Sequence, residues 1–451
     1  MSSNRTDDWS IARKIRWGGI TVLAAIVFGP WFVEHLRPPP DQYLDFYQEW
    51  SSARNAVRGF PVYTPIGVSI ERYLGLNVAG ADWSENTNVH PPTSVLLAIP
   101  LQGLDYADAF LVWNVLSLAA FAVSIWLVLR GLSIRWPWAA LMPATAFLLV
   151  CDPFRQQVYQ GQLNLVLLLL IVAGWRFGRA EHSAAAGICI GLAAAIKLFP
   201  GFLLCYYLLR GEWKTVFSGV ATIGVVTVLT GFILGFDVFQ IYVEDVLPLA
   251  VTWKTAFNNA SVAGFWHKLF DPGWRHGRTT IALLHSPMLA QIGTVVTDLL
   301  IYVVIGAAVL KARSRVEQDC AFGMALIGML LLSPVTWEHY LLMLLIPIAV
   351  VWLVSRSSRA MRWSLAATVA ALSAPVLWII DQTVPGGFNS GVATPWHTLT
   401  VLSFQFYALL VLLGLCWWAL KTQQRRFVAP ECVEEPESEL ENQQRASNVE
   451  S

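Results

Sequence analysis

Apolar runs at or near the length of a membrane crossing recur along this chain from Trp17 to Leu420, with almost no charge inside them. A hydrocarbon core needs about 20 apolar residues per helix, and a backbone crossing it must satisfy its own hydrogen bonds. A chain written this way is committed to helices in lipid. Composition excludes the soluble alternative: AVILMFWYC supply 56% of the 451 residues and DEKR only 13%, too little polar surface to face water on every side. Lys plus Arg and Asp plus Glu are each 30, a balance that gives no reason to expect a nucleic-acid partner. Six Cys, at 151, 189, 205, 320, 416 and 432, lie mostly within apolar runs without CxxC spacing, so they read as small apolar side chains rather than metal ligands. Trp9, Trp17, Trp136, Trp213, Trp363 and Trp396 flank apolar segments, where an indole suits the headgroup layer.

The candidate spans are 17–33, 106–129, 137–151, 162–175, 183–196, 198–209, 215–235, 289–310, 318–333, 339–354, 363–380 and 397–420, about twelve helices of uneven length. The stretch 183–209 is ambiguous, because Lys197, Pro200 and Gly201 interrupt its middle. Arg176 and Arg179 precede it, and Arg210 and Lys214 follow. One continuous helix would part these basic clusters, whereas two half-helices meeting near Lys197 return both to the side that Lys and Arg favour. With that choice most Lys and Arg fall on the inner side, both termini are cytoplasmic, and the long loops 34–105 and 236–288 are outer. Arg5, Arg13, Lys14 and Arg16 precede the first run without a small-residue cleavage site before Pro30, which reads as an uncleaved anchor. The expected organisation is a cytoplasmic segment 1–16, one transmembrane unit 17–427 and a disordered acidic tail 428–451. The fold class is an all-α integral membrane bundle with interfacial helices on its outer face.

Chemistry has few places to sit. Pro38 to Pro40 precede Asp41, which can cap a helix running through Leu44, Tyr47, Trp50, Ala53 and Val57 to Gly59. That apolar stripe would lie on the membrane. Asp41, Asp45 and Glu49 recur every fourth residue, which puts three carboxylates on one helix face. A solvated acidic face accounts for that spacing; a general base at the membrane surface is the alternative. The segment Asn88 to Thr93, containing His90-Pro91-Pro92, leads into an apolar run too short to span. Farther on, Gln162 and Asn164 run straight into apolar residues beside Arg155. They need partners within the bundle or a wet cavity. Lys197 has no cheap hydrocarbon exposure, and either snorkels outward or meets a lipid phosphate. Ser333 to Tyr340 places Glu338 and His339 between two apolar spans, as hydrogen-bonding groups or as an acid and a base. The sidedness count gathers all these groups on the outer face.

The chain has no GxxxxGK[ST], no HExxH and no DxD pair for a metal-bridged diphosphate, so a cytoplasmic nucleotide-using site is not expected. A transporter or lipid flippase remains a rival reading for buried polar groups in a multi-span bundle, although no internal repeat is evident by eye.

Five segments together resemble the glycosyltransferase 87 family, integral membrane transferases of the GT-C type that use polyprenyl-phosphate sugars. They are Asp45-Phe46-Tyr47 through Gly59 and Tyr63, His90-Pro91-Pro92, Gly161-Gln162-Leu163-Asn164, Lys197 through Gly201, and Ser333 through Tyr340. Asn258 to Ser261 also looks like that family's large outer loop; residues 341–451 add only hydropathy. The resemblance implies a GT-C fold, with the family's catalytic Asp falling on Asp45 and its functional His on His339. It further implies a lipid monophosphate sugar as donor, most often mannose and in some members arabinofuranose, and a glycolipid or glycan acceptor, with no cofactor and no metal. On that reading Lys197, helped by Arg155, neutralises the phosphate; Gln162, Asn164 and Asn259 hold sugar hydroxyls. Glu49, His90 and Glu338 complete the expected site.

Overall fold

The computed structural model describes residues 9–39, 42–78, 81, 84–273 and 278–428. The expected positions Asp41 and 429–451 lie outside the described residues. Among those described, five helices are long and apolar enough to cross a membrane: Ile11–Leu36, Tyr106–Gly131, Trp213–Leu234, Pro287–Lys311 and the segment Pro395–Gln424. Two bent pairs, Asp152–Gln160 with Asn164–Arg179 and Arg359–Leu372 with Val376–Thr383, raise the number to seven. The other apolar helices run only 10–17 residues, so the count of about twelve complete crossings is not reached by length. The chain is nevertheless an all-α multi-span membrane protein, with two-residue strands as its only β structure among the described residues.

The stretch 183–209 does break at Lys197, whose extended backbone (φ −138°, ψ 138°) ends the helix Ser183–Ile196. That helix runs parallel to Trp213–Leu234. Gly187 meets Thr215 and Ser218, and Gly191 meets Gly219 and Thr222, so closely that a Cβ would overlap them. Small residues let the backbones approach, which supplies dispersion where lipid offers no hydrophobic drive. The second half, Phe202–Leu209, turns back, with Leu204 near Gly219 and the Tyr207 hydroxyl donating to Gly174 O at 3.3 Å. Both flanking basic clusters therefore lie at one end of the bundle.

At its centre stands Arg315–Leu331, buried almost throughout. Its Ser314 and Glu317 form a capping box. The buried Asp319 is held by Arg179 and by Trp175 Nε1, which donates at 3.0 Å. At the opposite end the loops 34–105 and 236–288 gather. Thr279–Thr280 pairs in parallel with Val392–Ala393, and Ala260 N donates to Thr336 O at 2.9 Å.

The first of these loops differs from expectation. Its helix runs Phe46–Val57, with Asp45 in the capping position but making no capping hydrogen bond. Its apolar stripe does not lie on the membrane. Phe46 stacks on Trp113 at 5.2 Å, and Tyr47 and Trp50 pack against Tyr106 at 5.1 and 5.4 Å. Each such aromatic pair is worth about 0.5–1.5 kcal/mol beyond its area burial. Glu49 accordingly points inward and is buried rather than solvated.

Candidate functional site

A cavity of about 750 Å³ opens at the loop-rich end, and Asp45, His90, Gln162, Lys197, Glu338 and His339 all line it. These residues come from all five of the segments singled out in the sequence. Its core is a three-residue bridge. Gln162 Nε2 donates to the Asp45 carboxylate, while Lys197 Nζ donates to Gln162 Oε1 at 3.1 Å. The acid and the cation thus meet across one amide, in a common hollow. Lys197 Nζ also reaches the Tyr340 hydroxyl at 3.3 Å and lies 4.7 Å from its ring centroid.

Local sequence explains how each group is aimed. Gly161 ends Asp152–Gln160 in the left-handed region (φ 64°), where a side chain is disfavoured. A Cβ there would also press on Phe110 and Phe46. Gln157 Nε2 donates to Gln162 O at 2.6 Å, and Asn164 Nδ2 donates to Gln157 Oε1 at 3.1 Å. The Gly-Gln-Leu-Asn segment is therefore a locked turn whose exposed product is the Gln162 side chain. Thr93, following His90-Pro91-Pro92, donates to Ala195 O just ahead of Lys197, and Phe199 stacks on Tyr340 at 5.3 Å.

Two further carboxylates are already engaged. Glu49 pairs with His90 Nδ1. Glu338 accepts from Asn258 Nδ2 at 2.7 Å and lies 3.6 Å from His339 Nδ1, too far for a hydrogen bond but close enough for attraction. The buried His339 ring nitrogens have no hydrogen-bond partner among the described residues. Asp45 is half-buried in the cavity wall. Burial pushes its carboxyl above the usual carboxylate range, although His339, the Gln162 hydrogen bond and His90 pull the other way. A carboxylate held this way takes up a proton more readily than an exposed one.

Four expected site residues do not line the cavity: Glu49, which turns to His90, and Arg155, Asn164 and Asn259. Arg155 turns toward Phe28 and Trp31, its guanidinium 4.5 Å from the indole centroid. Asn164 is buried behind the turn, its Nδ2 turned to Gln157. Asn259 clasps two loops together: its Nδ2 donates to Lys254 O and Pro334 O, and its Oδ1 accepts from Ser261 N and Thr336 N. Four backbone bonds leave it nothing for a ligand. The neighbouring Asn258 faces the cavity instead. Residue spacing cannot choose between adjacent asparagines in a turn. Tyr340 and Gln48 also line the cavity and were not singled out as site residues. Gln48 stands three residues after Asp45, on the same helix face, so a signal for it was available.

Residues 88–335, more than half of the chain, match the sequence profile of glycosyltransferase family 87. Across most of its length the chain is similar to a polyprenol-phosphate-mannose-dependent alpha-(1-2)-phosphatidylinositol mannoside mannosyltransferase of Mycobacterium tuberculosis. The two share 26% identity over 437 residues, 92% of this chain and 94% of that protein. A polyprenol-phosphate-mannose-dependent alpha-(1-2)-phosphatidylinositol pentamannoside mannosyltransferase of Mycolicibacterium smegmatis is 26% identical over 322 residues, covering 68% of this chain and 71% of that protein. An alpha-(1->3)-arabinofuranosyltransferase of Mycobacterium tuberculosis shares 25% over 187 residues, 41% of this chain and 40% of its own.

Proposed function

The chain belongs to glycosyltransferase family 87, and from that premise we propose that it transfers mannose from a polyprenyl-phosphate donor to a hydroxyl of a glycolipid or glycan acceptor, on the outer face of the membrane. The observation that carries this reading is the Asp45–Gln162–Lys197 bridge inside the shared cavity. Asp45 takes the proton of the acceptor hydroxyl as that oxygen attacks the anomeric carbon; the bond from that carbon to the phosphate oxygen breaks, and the phosphate departs with its electron pair. One displacement inverts the anomeric centre, and of the two carboxylates that line the cavity among the described residues Asp45 is the one without a histidine within ion-pair distance. Lys197 meets the charge that builds on the leaving phosphate. The donor arrives already activated by its phosphoester, so the scheme calls for neither cofactor nor metal.

The walls suit a lipid-linked sugar. Leu198 and Tyr302 line the cavity yet are exposed on the outside of the bundle, which gives a polyprenyl chain an apolar way in beside Lys197. Gln48, Asn86 and Asn258 offer polar groups for sugar hydroxyls, and Trp253, Trp337 and Tyr340 offer faces for the ring. His339, close enough to lower the carboxyl pKa of Asp45, favours the ionised form in which Asp45 can take the proton. The sidedness rests on the Lys and Arg distribution. The test is Asp45→Asn in purified protein supplied with polyprenyl-phosphate mannose and membrane glycolipid. Transfer should vanish while the protein remains folded and membrane-inserted. Transfer at the normal rate in that variant would overturn the assignment, and movement of unaltered donor across sealed vesicles would favour a transporter.

A further inference from the structure

A second and larger void, about 1340 Å³, shares no lining residue with the site cavity. It exceeds the roughly 300–1,000 Å³ usual for small-molecule sites. Its walls are helix stripes that in an ordinary bundle would pack on one another: Ala144, Phe147 and Leu148 on one helix face Leu345, Ile348 and Ala349 on another across the gap. Helices Tyr106–Gly131 and Arg359–Leu372 close the sides. The spacing is helical in each case, so the void is built by regular helices standing apart and not by a disordered loop.

The two ends differ. Toward the site the groove finishes at Cys151, Pro153 and Leu341, the last just beyond His339 and Tyr340 in sequence. At the other end stand Arg13, Arg135, Arg356 and Arg362, with Trp136 and Trp352 on the rim. Helix direction requires this placement, because Arg135 follows the far end of Tyr106–Gly131 and Arg356 follows the far end of Leu345–Val354. Among the described residues no carboxylate pairs with any of the four arginines, and no acidic residue lines the groove. Four guanidinium groups over an apolar trough match one kind of molecule: an anion carrying hydrocarbon chains.

We propose that this groove is a binding site for an anionic diacyl phospholipid, its headgroup on Arg135, Arg356 and Arg362 and its chains running between the helices toward the midplane. The occupant is not the sugar donor, since a phosphate on these arginines stands a helix length, about 20 Å at 1.5 Å per residue, from Lys197. The bound lipid would complete the packing between the pair Ile11–Leu36 and Leu141–Val150 and the rest of the bundle.

The experiment reconstitutes the full chain in vesicles of equal phosphatidylcholine and phosphatidylglycerol, re-extracts it in mild detergent, and measures the lipid carried through purification by phosphorus assay and mass spectrometry. About one phosphatidylglycerol per chain is expected, enriched at least tenfold over phosphatidylcholine. R135Q/R356Q/R362Q should abolish the preference. Ala144→Phe, which fills the trough and leaves every charge in place, should abolish retention. Equal retention of both lipids, polyprenyl phosphate as the bound species in native membranes, a second copy of the chain on this face, or undiminished retention in Ala144→Phe would each overturn the proposal. The last result would mean that the arginines merely attract surface lipid.

Discussion

Replacing Lys197 by Met removes one charge and keeps nearly the same volume, which makes it the sharpest probe of the proposed donor site. Lys197 is only 4% exposed, and no carboxylate lies within ion-pair distance of it among the described residues. Its near neighbours are neutral, Gln162 Oε1 at 3.1 Å and the Tyr340 hydroxyl at 3.3 Å, so its charge is left for a ligand. A phosphate at about 4 Å and an effective dielectric of about 20 is attracted by about 4 kcal/mol, which converts to nearly 10³ in affinity. Losing a donor to Gln162 and Tyr340 costs about 1–3 kcal/mol for each group left unpaired, partly recovered because an uncompensated buried cation is also gone. The folded state should therefore change little while donor binding collapses. The assay is displacement of a fluorescent polyprenyl phosphate by polyprenyl-phosphate mannose in nanodiscs, with thermal melting as the control. Lys197→Arg should retain part of the affinity, since the charge survives but the bidentate fork does not fit beneath Tyr340. A fully folded Lys197→Met protein that binds the donor within about fivefold of the original would refute the reasoning.

Asp45→Asn should lower kcat by at least the 10²–10⁴-fold typical of a lost general base, with donor affinity nearly intact; a large loss of donor binding with normal kcat would contradict that role. Because burial raises the Asp45 carboxyl, the acid limb of kcat/KM should lie on the basic side of that of an ordinary Asp, about 3.9. The same upward shift makes ionised Asp45 a burden on folding: its stabilising share is full below the unfolded pKa and lost as pH rises through the folded one. Asp45→Asn should thus melt higher than the original at neutral pH, the two curves converging in acid. Gly161→Ala must force a left-handed residue, about 1–2 kcal/mol, against Phe110 and Phe46. Activity should fall with Gln162 displaced, and normal activity would show that the turn is not what aims it. Arg155→Ala, whose guanidinium rests on Trp31, should leave donor affinity unchanged in the displacement assay.

Much of the site was legible because its residues break the surrounding pattern. In a chain that is 13% charged, Lys197 between Ile196 and Leu198 or His339 between two spans cannot be casual, since lipid exacts kilocalories for every unpaired polar group. The same reasoning misplaced Arg155 and Asn259. A polar residue in an apolar setting must find a partner, but the rule is indifferent to whether that partner is a ligand, an indole or a loop carbonyl. The two-half-helix reading of 183–209 came out of charge together with the Lys197, Pro200 and Gly201 interruption, because basic clusters on both flanks have to share a side.

From sequence, then, came lipid as the solvent, helices as the scaffold and the identity of the groups too costly to leave unused. These follow from hydropathy and charge, which act along the chain and need no knowledge of neighbours. Three-dimensional packing alone decided that Gln162 joins Asp45 to Lys197, that Glu49 turns inward to His90, and that Asn258 rather than Asn259 meets the cavity. Those choices depend on side-chain direction and on contacts between residues up to 117 positions apart, and a local pattern carries no record of either.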